Sequence, residues 1–471
     1  MSLIPWFSLH PSNALFRTLS RPLTHPSLLS TMKAKMGFVV HAFTLSVLLQ
    51  SAALAAPFPE ASPDGKVVVA HFMVGNSYSY TRSTWSSNIA LALAGGIDGF
   101  ALNVGSDSWS PSRVADAYAA AIGTPFKLFL SLDMTSLPCA SAGDANVIRQ
   151  YVNDYANHPN QLFYRGQQVV STFSGSDCKF GQGDINAGWN YAVKATAPKP
   201  VAFIPSFFAA PSSFASTTVM NGDFNWNGGW PAGGNDIDFS SDQTHINAIG
   251  GRYYIAPVSP GFFTHYGANT YNKNWIYRGD DWLYNSRWEL LIQHRAQIDI
   301  VEIITWNDYG ESHYIGPIGA DQPNSQAWVN GFDHQAWNTM TKYYADAWRS
   351  GVYPQITKNQ IFLSARPHSK SLTVNDPIGK PNNWQWTDDN LYAVVFSTGP
   401  GSLELSIGSS KSTTAISAGV NKIKLPLSPG SPTARLLDSK GNLLISFSPS
   451  GFTYVTNPPA YNFNYYVAAS P

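Results

Sequence analysis

Two carboxylates, Asp308 and Glu311, stand three residues apart in the segment 306–312. Such a pair offers what cleavage of a glycosidic bond requires, one carboxyl that stays protonated as an acid and one that is ionised. Three residues span at most about 10–11 Å, so the spacing allows either the retaining or the inverting separation of the two groups. Each residue also has an alternative interpretation as a carboxylate that caps a loop. We expect Glu311 to be the acid and Asp308 the base.

The chain contains few glutamates, which limits the candidates for a catalytic carboxylate. The chain has five glutamates: Glu60, Glu289, Glu302, Glu311 and Glu404. Glu60 precedes the first predicted strand, Glu289 falls in a predicted helix, and Glu404 lies in the tail. Glu302 lies inside an apolar run, where a buried, hydrogen-bonded structural role is expected. Only Glu311 follows the end of a predicted strand.

Other polar and aromatic side chains gather where apolar runs end, and a pocket lined in this way suits a neutral polyhydroxylated ligand. His71 is either a substrate contact or a hydrogen-bonded histidine of the interior. Asp133 either orients a catalytic group, contacts sugar hydroxyls or caps the next helix, and the tryptophans are either core residues or stacking platforms. The candidate substrate-binding residues are His71, Asn103, Asp133, Trp226, Trp230, Trp306, Asn307, Tyr309, His313 and Tyr314.

Eight short apolar runs position these residues, and helical stretches separate most of them. This alternation predicts βα units around a parallel sheet, and its size fits a (β/α)₈ TIM barrel over residues 66–355. The predicted strands are 67–73, 99–104, 127–133, 168–173, 201–207, 223–226, 253–258 and 298–306. The predicted helices are 83–94, 112–122, 145–155, 185–196, 283–296 and 335–348.

Residues 359–471 differ in pattern, with short alternating runs separated by Gly, Pro and Ser turns. The runs 391–396, 403–407, 422–427 and 442–447 predict strands of a C-terminal β-sandwich. Such a domain either binds glucan or covers the barrel, and we favour structural support.

The N-terminal region indicates export. Lys33 and Lys35 precede an apolar run that ends near a small-x-small site before Ala56, which predicts a signal peptide over residues 32–55. We expect residues 1–31 to be a spurious or extended leader. A secreted protein of the extracellular space or cell wall favours a disulfide between its two cysteines, Cys139 and Cys178.

Composition excludes several function classes. Only 12% of residues are charged, about half the usual fraction, and 29 basic residues balance 29 acidic ones. A neutral chain gives no electrostatic basis for binding nucleic acid or, after signal cleavage, a membrane. Motifs of esterases, kinases, dehydrogenases and zinc peptidases are missing from the sequence. We expect a monomer without cofactor or metal.

Four segments resemble glycoside hydrolase family 71, the fungal α-1,3-glucanases or mutanases. They are residues 70–76, 96–103, 129–134 and 306–312, and the likeness continues in order over about residues 66–355. The resemblance implies a barrel with a C-terminal β-sandwich and metal-independent, inverting hydrolysis of α-1,3-glucan. It also implies that Asp308 and Glu311 are the catalytic pair.

Two other functions stay open at this point. One is an endoglycosidase that cleaves a different wall glucan by the same acid–base chemistry. The other is a catalytically inactive carbohydrate-binding wall protein, against which the intact Asp308 and Glu311 argue.

Overall fold

The computed structural model describes residues 65–471. The predicted leader, the predicted signal peptide and Glu60 lie outside these residues. Within 65–471, no helix is both long and apolar enough to cross a lipid bilayer.

The N-terminal part is a mixed α/β structure around a curled, mainly parallel sheet. Parallel ladders join eight strands in the order β6-β5-β3-β2-β1-β11-β8-β7, the short β4 pairs with β5, and β9 and β10 form a separate hairpin. The strands are β1 (Val67–Met73), β2 (Gly99–Val104), β3 (Lys127–Asp133), β4 (Phe163–Tyr164), β5 (Gln167–Phe173), β6 (Val201–Phe203), β7 (Gly222–Phe224), β8 (Tyr253–Val258), β9 (Phe262–His265), β10 (Asn274–Tyr277) and β11 (Ile300–Ile303).

The two faces of this sheet bury different sets of side chains, because successive residues of a strand point to opposite faces. Val68 and Ala70 of β1 belong to the large core shared with the helices. Val69 belongs to a second core that also contains Ala101, Phe129 and other strand residues. Burial on both faces explains why these strands read as nearly continuous apolar runs.

Within residues 65–471, eight α-helices accompany the strands, and six of them correspond to the predicted ones. The polar helix α5 was not predicted, and the predicted helix 185–196 is α4 followed by a π-helical turn at Asn190–Lys194. The helices are α1 (Arg82–Ala94), α2 (Ser110–Ala121), α3 (Ala145–Tyr155), α4 (Ile185–Trp189), α5 (Ser240–Ile249), α6 (Leu283–Gln293), α7 (Gln326–Val329) and α8 (Gln335–Ser350).

Local chemistry fixes several helix ends. Thr81 caps α1, since its hydroxyl accepts a hydrogen bond from the Thr84 N–H at 3.2 Å. Asp184 caps α4 in the same way through the Ala187 N–H at 2.8 Å. Helix α8 ends at Gly351, whose φ of 77° is the left-handed conformation typical of a helix C-terminus.

All eight predicted strands correspond to strands of the sheet, but three are shorter than predicted. β6 stops at Phe203 and β11 spans only Ile300–Ile303. β7 ends at Phe224, and Trp226 already begins a 3₁₀ turn. Pairing with β5 nevertheless continues past Phe203, because the Ser206 N–H donates to the Thr172 carbonyl at 3.0 Å.

The C-terminal part consists of two four-stranded antiparallel sheets, ordered β16-β13-β12-β19 and β15-β14-β17-β18. Apolar side chains of both sheets, among them Leu363, Val395, Leu405 and Leu436, form one core. The strands are β12 (Gln360–Ala365), β13 (Asn390–Ser397), β14 (Gly401–Ile407), β15 (Ser410–Ile416), β16 (Gly419–Pro426), β17 (Pro432–Asp438), β18 (Leu443–Phe447) and β19 (Tyr466–Ala469).

The predicted disulfide between Cys139 and Cys178 is present, with Cα atoms 5.3 Å apart. It joins the loop after β3 to the loop after β5. A backbone hydrogen bond of 2.9 Å from Phe180 N–H to the Cys139 carbonyl runs beside it. The two neighbouring loops are thus held together at the carboxyl end of the sheet.

Candidate active site

The segment after β11 folds back on itself and presents Asp308 and Glu311 together. Thr305 N–H donates to the His313 carbonyl at 2.8 Å. The Asp308 N–H donates to the Thr305 hydroxyl at 2.8 Å, and the Glu311 N–H donates to Asp308 Oδ1 at 3.2 Å. This internal bonding fixes both carboxylates on one short loop at the carboxyl end of the sheet.

Asn307 ties this loop to the end of β1. Its Oδ1 accepts from the Met73 N–H at 2.7 Å, and its Nδ2 donates to the Met73 carbonyl at 3.1 Å. Asn76 Nδ2 donates to the Asn307 carbonyl at 3.0 Å. These bonds hold the loop after β11 against the end of β1, and the role of Asn307 as a substrate contact stays a prediction.

Glu311 lies between two basic side chains. Lys273 Nζ is 3.4 Å from its Oε1, and His313 Nε2 is 3.1 Å from its Oε2. An oxygen of Asp308 lies within 4.8 Å of an oxygen of Glu311. The two carboxylates are therefore close enough for each to influence the ionisation of the other.

The surroundings separate the protonation states of the two carboxylates. Burial and the negative charge of Glu311 raise the pKa of Asp308 to about 6. Burial also acts to raise the pKa of Glu311, but Lys273 and His313 outweigh it and lower that pKa to about 2. These directions favour Asp308 as the protonated acid and Glu311 as the ionised partner, the reverse of the order expected from the sequence.

Lys273 was missed by the sequence analysis. It lies in the loop between β9 and β10, directly before Asn274, and its carbonyl accepts from the Tyr266 N–H at 2.6 Å. A single lysine between two strands that were not themselves predicted carries no recognisable pattern. Only the folded hairpin brings it to Glu311.

Asp133, at the end of β3, contributes a third carboxylate. Its Oδ1 accepts from the Thr135 N–H at 3.0 Å and the Thr135 hydroxyl at 2.6 Å, so one oxygen stabilises the following turn. Burial raises its pKa, while the Thr135 bonds and the charges of His71 and Lys273 lower it. The charge of Lys273, which contacts Glu311, therefore also acts on Asp133.

A second histidine–carboxylate pair, His71 and Glu302, lies on the neighbouring strands β1 and β11. His71 of β1 contacts Glu302 of β11, with 2.7 Å between Nδ1 and Oε1 and both side chains about 1% exposed. The edge of the Trp226 ring contacts His71, with ring centroids 4.8 Å apart. Burial raises the pKa of Glu302, against the opposing effect of His71. Glu302 is thus buried and hydrogen-bonded, and His71 is covered from solvent.

Trp230 lies beside the histidine that contacts Glu311, and Asn103 lies near the carboxyl end of β2. The Trp230 ring lies 5.8 Å from the His313 ring, and its indole N–H donates to the Gly261 carbonyl at 3.0 Å. Asn103 is the last residue but one of β2, paired in the ladders with Met73 and Ser131. Both remain proposed substrate contacts.

Three other predicted residues point away from the pair. The indole N–H of Trp306 donates to Asn88 of α1 at 2.7 Å, inside the core between sheet and helices. The Tyr309 hydroxyl donates to the Pro317 carbonyl at 2.9 Å. Tyr314 stacks on His334 with centroids 4.1 Å apart. All three are fully buried, so they support the loop and do not line the site.

The rim of the site carries residues that the sequence analysis did not single out. Tyr78, which is 64% exposed, makes an edge contact with Trp109 at a centroid distance of 5.2 Å. Asp107 lies in the same rim, and burial together with the charge of Asp133 raises its pKa. The rings follow β1 and β2, at the same end of the sheet as the carboxylates.

Asp308, Glu311 and His313 each offer one atom with which a metal ion could be bound, all within 4.8 Å. The ammonium of Lys273 contacts the same Glu311 carboxylate and would repel a cation there. The three groups together with Lys273 therefore fit an acid–base site better than a metal site.

The model of glycosyl hydrolase family 71 matches residues 64–471. The chain is 39% identical to a glucan endo-1,3-alpha-glucosidase of Schizosaccharomyces pombe over 412 residues, covering 85% of this chain and 94% of that protein. It is 32% identical over 420 residues to a mutanase of Penicillium rubens, covering 86% and 89%. An ascus wall endo-1,3-alpha-glucanase of S. pombe is 31% identical over 431 residues, covering 85% and 96%.

Proposed function

Because this chain belongs to glycosyl hydrolase family 71, we propose that it is a glucan endo-1,3-α-glucosidase that hydrolyses α-1,3-glucan through Asp308 and Glu311. The observation that carries the chemistry is the placement of two carboxylates on one loop, with Lys273 at 3.4 Å and His313 at 3.1 Å from Glu311. The two basic groups lower the pKa of Glu311, whereas burial and the charge of Glu311 raise the pKa of Asp308. The names of the relatives, two endo-1,3-α-glucanases and a mutanase, support the substrate.

The proposed reaction transfers one proton to the leaving sugar and removes one from water. The Asp308 carboxyl donates its proton to the glycosidic oxygen as the bond from that oxygen to the anomeric carbon breaks. Glu311 accepts a proton from the water whose oxygen forms the new bond to that carbon. Lys273 and His313 keep Glu311 ionised at the pH where Asp308 is still protonated.

The stereochemical course is inversion in this proposal, as the family resemblance implies. Inverting carboxyl groups usually stand about 6.5–9.5 Å apart and retaining ones about 5–5.5 Å. An oxygen of Asp308 and an oxygen of Glu311 lie within 4.8 Å of each other. This short distance makes retention the second candidate. Proton NMR of the first product distinguishes them, since inversion of an α-linkage releases the β-anomer and retention releases the α-anomer.

We further propose that the curled sheet closes into a full TIM barrel over residues 66–355. Two backbone hydrogen bonds connect the segments of β6 and β7, from Asn221 N–H to the Phe203 carbonyl at 2.7 Å and from Phe224 N–H to the Pro205 carbonyl at 3.0 Å. Residues 359–471 then form a C-terminal β-sandwich domain, supported by the shared core of the two sheets.

The proposed location is the extracellular space or cell wall, where a monomer meets polymeric glucan. The predicted signal peptide and the Cys139–Cys178 disulfide support export. N-terminal sequencing of the protein from its natural source should find a chain that starts near Ala56. A mature chain that retains residues before Met32 contradicts this expectation.

Reducing-sugar release from purified polysaccharides tests the substrate. The protein should release sugar from insoluble α-1,3-glucan and leave β-1,3-glucan intact. Release from β-1,3-glucan alone indicates a different endoglycosidase. No release from any wall glucan indicates an inactive binding protein.

A further inference from the structure

A cleft of about 550 Å³ opens where α6, α8 and β16 meet. Glu289 and Gln293 of α6, Tyr343 and Tyr344 of α8, and Tyr353 just beyond α8 line it. No lining residue belongs to the candidate active site. The cleft joins the helical layer of the N-terminal part to a strand of the C-terminal sheets.

The aromatic walls of this cleft are supported from behind. The rings of Tyr343 and Tyr353 lie nearly parallel, 25° apart, with centroids separated by 5.7 Å. Tyr343 packs in turn on Phe396 of β13 at 4.8 Å. Tyr353 is 44% exposed. A flat amphipathic ring held in this way offers a rigid apolar face to a ligand.

The carboxylate in the cleft is neutralised by its neighbours. Lys422 of β16 lies 2.6 Å from Glu289 Oε2, and the Tyr344 hydroxyl donates to Glu289 Oε1 at 3.2 Å. An ionic ligand therefore finds no unbalanced charge in the cleft. The hydroxyl groups of a neutral ligand can form hydrogen bonds in this cleft. Their partners are the carboxylate of Glu289, the amide of Gln293 and the tyrosine hydroxyls.

We propose that this cleft is a second, non-catalytic binding site for a segment of a neutral glucan chain, an inference that rests on the function proposed above. Tyr353 supplies the stacking face for a sugar ring, and Glu289 and Gln293 bind the ring hydroxyls. On an insoluble polymer, a second contact raises the effective concentration of substrate at the active site. A short soluble oligosaccharide gains nothing from this tether.

Replacement of the stacking ring tests the proposal. Binding of the full-length chain is measured as its depletion from solution by particles of insoluble α-1,3-glucan, in a Glu311→Gln background that slows hydrolysis. Tyr353→Ala should weaken retention about three- to tenfold, the value of one aromatic contact. Tyr353→Phe should retain binding within about twofold, because the ring remains. Hydrolysis of soluble α-1,3-oligosaccharides should be unchanged by Tyr353→Ala in the otherwise unmodified chain.

Val352 provides the matched control, because it is the adjacent residue, is 70% exposed and does not line the cleft. Val352→Ala should bind like the parent chain. Unchanged retention of Tyr353→Ala, or an equal loss in Val352→Ala, overturns the proposal. So does an equal loss on soluble oligosaccharides, because the effect would then act through the active site. If the unmodified chain cleaves a different glucan, the proposed substrate is wrong, and the same depletion experiment on that glucan still decides the role of the cleft.

Discussion

Glu302 of β11 and Glu311 of the loop after β11 each contact a histidine, and the pKa values of the two glutamates shift in opposite directions. Glu302 contacts His71 at 2.7 Å, and burial raises its pKa. Glu311 contacts His313 at 3.1 Å, and its pKa is lowered to about 2. Burial acts to raise the pKa of both carboxylates, so burial alone does not decide their charge.

The two glutamates differ in the basic side chains that surround them. Lys273 approaches Glu311 to 3.4 Å, and its positive charge, added to His313, outweighs burial. At Glu302, His71 alone opposes burial and does not overcome it. Burial and the charge of Glu311 together raise the pKa of Asp308 to about 6. The proposed protonation states of Asp308 and Glu311 thus depend on His313 and on one lysine from a hairpin, and this difference predicts which substitutions matter.

The largest effect is expected at the loop after β11. Glu311→Gln and Asp308→Asn should each lower kcat by about 10²–10⁴, the usual contribution of a general acid or base. Steady-state kinetics on α-1,3-glucan measures the loss, and circular dichroism checks that the fold is intact. Near-normal turnover in both variants, with loss of turnover in Asp133→Asn, moves the catalytic centre to the end of β3.

An intermediate effect is expected from Lys273→Met. In the unmodified protein, kcat/KM should fall as the pH rises through about 6, because Asp308 loses its proton. Lys273 favours the ionised form of both carboxylates, so its removal should raise both pKa values. Both limbs of the pH profile of kcat/KM should therefore move to higher pH. Limbs that stay in place, or move to lower pH, contradict the assigned role of Lys273.

The smallest effect on activity is expected at the buried pair of Glu302 and His71. Because burial raises the pKa of Glu302, folding favours its neutral form, and this stability contribution is lost as the pH rises through the folded pKa. Glu302→Gln is neutral at every pH and keeps the acceptor for His71. It should change the free energy of unfolding by about 1 kcal/mol or less and kcat/KM by less than about threefold. If kcat/KM of Glu302→Gln falls as far as that of Glu311→Gln, the two glutamates are equally important for activity, and the proposed difference between them is wrong.

Much of this arrangement was predictable from the sequence, because it depends on local patterns. Apolar runs located the parallel strands, and the position of Asp308 and Glu311 after the last run located the loop. The cysteine count predicted the disulfide, which the structure confirms.

The features that escaped the sequence depend on contacts between distant residues. Trp306 follows the same strand as Asp308, yet its ring turns towards Asn88 of α1, and no local pattern fixes that direction. Lys273 reaches Glu311 only through the β9–β10 hairpin. The order of acid and base stays a prediction, because it depends on the sum of burial and charge at the folded site.

Leaving-group dependence tests the central claim that Asp308 is the acid and Glu311 its ionised partner. Asp308→Asn and Glu311→Gln are compared on α-1,3-glucan and on a dinitrophenyl α-glycoside of an α-1,3-oligosaccharide, whose leaving group needs no proton. The account predicts that Asp308→Asn loses far more activity on the glucan than on the dinitrophenyl substrate, whereas Glu311→Gln loses activity on both. The opposite pattern, with Glu311→Gln rescued by the activated leaving group and Asp308→Asn inactive on both substrates, contradicts it.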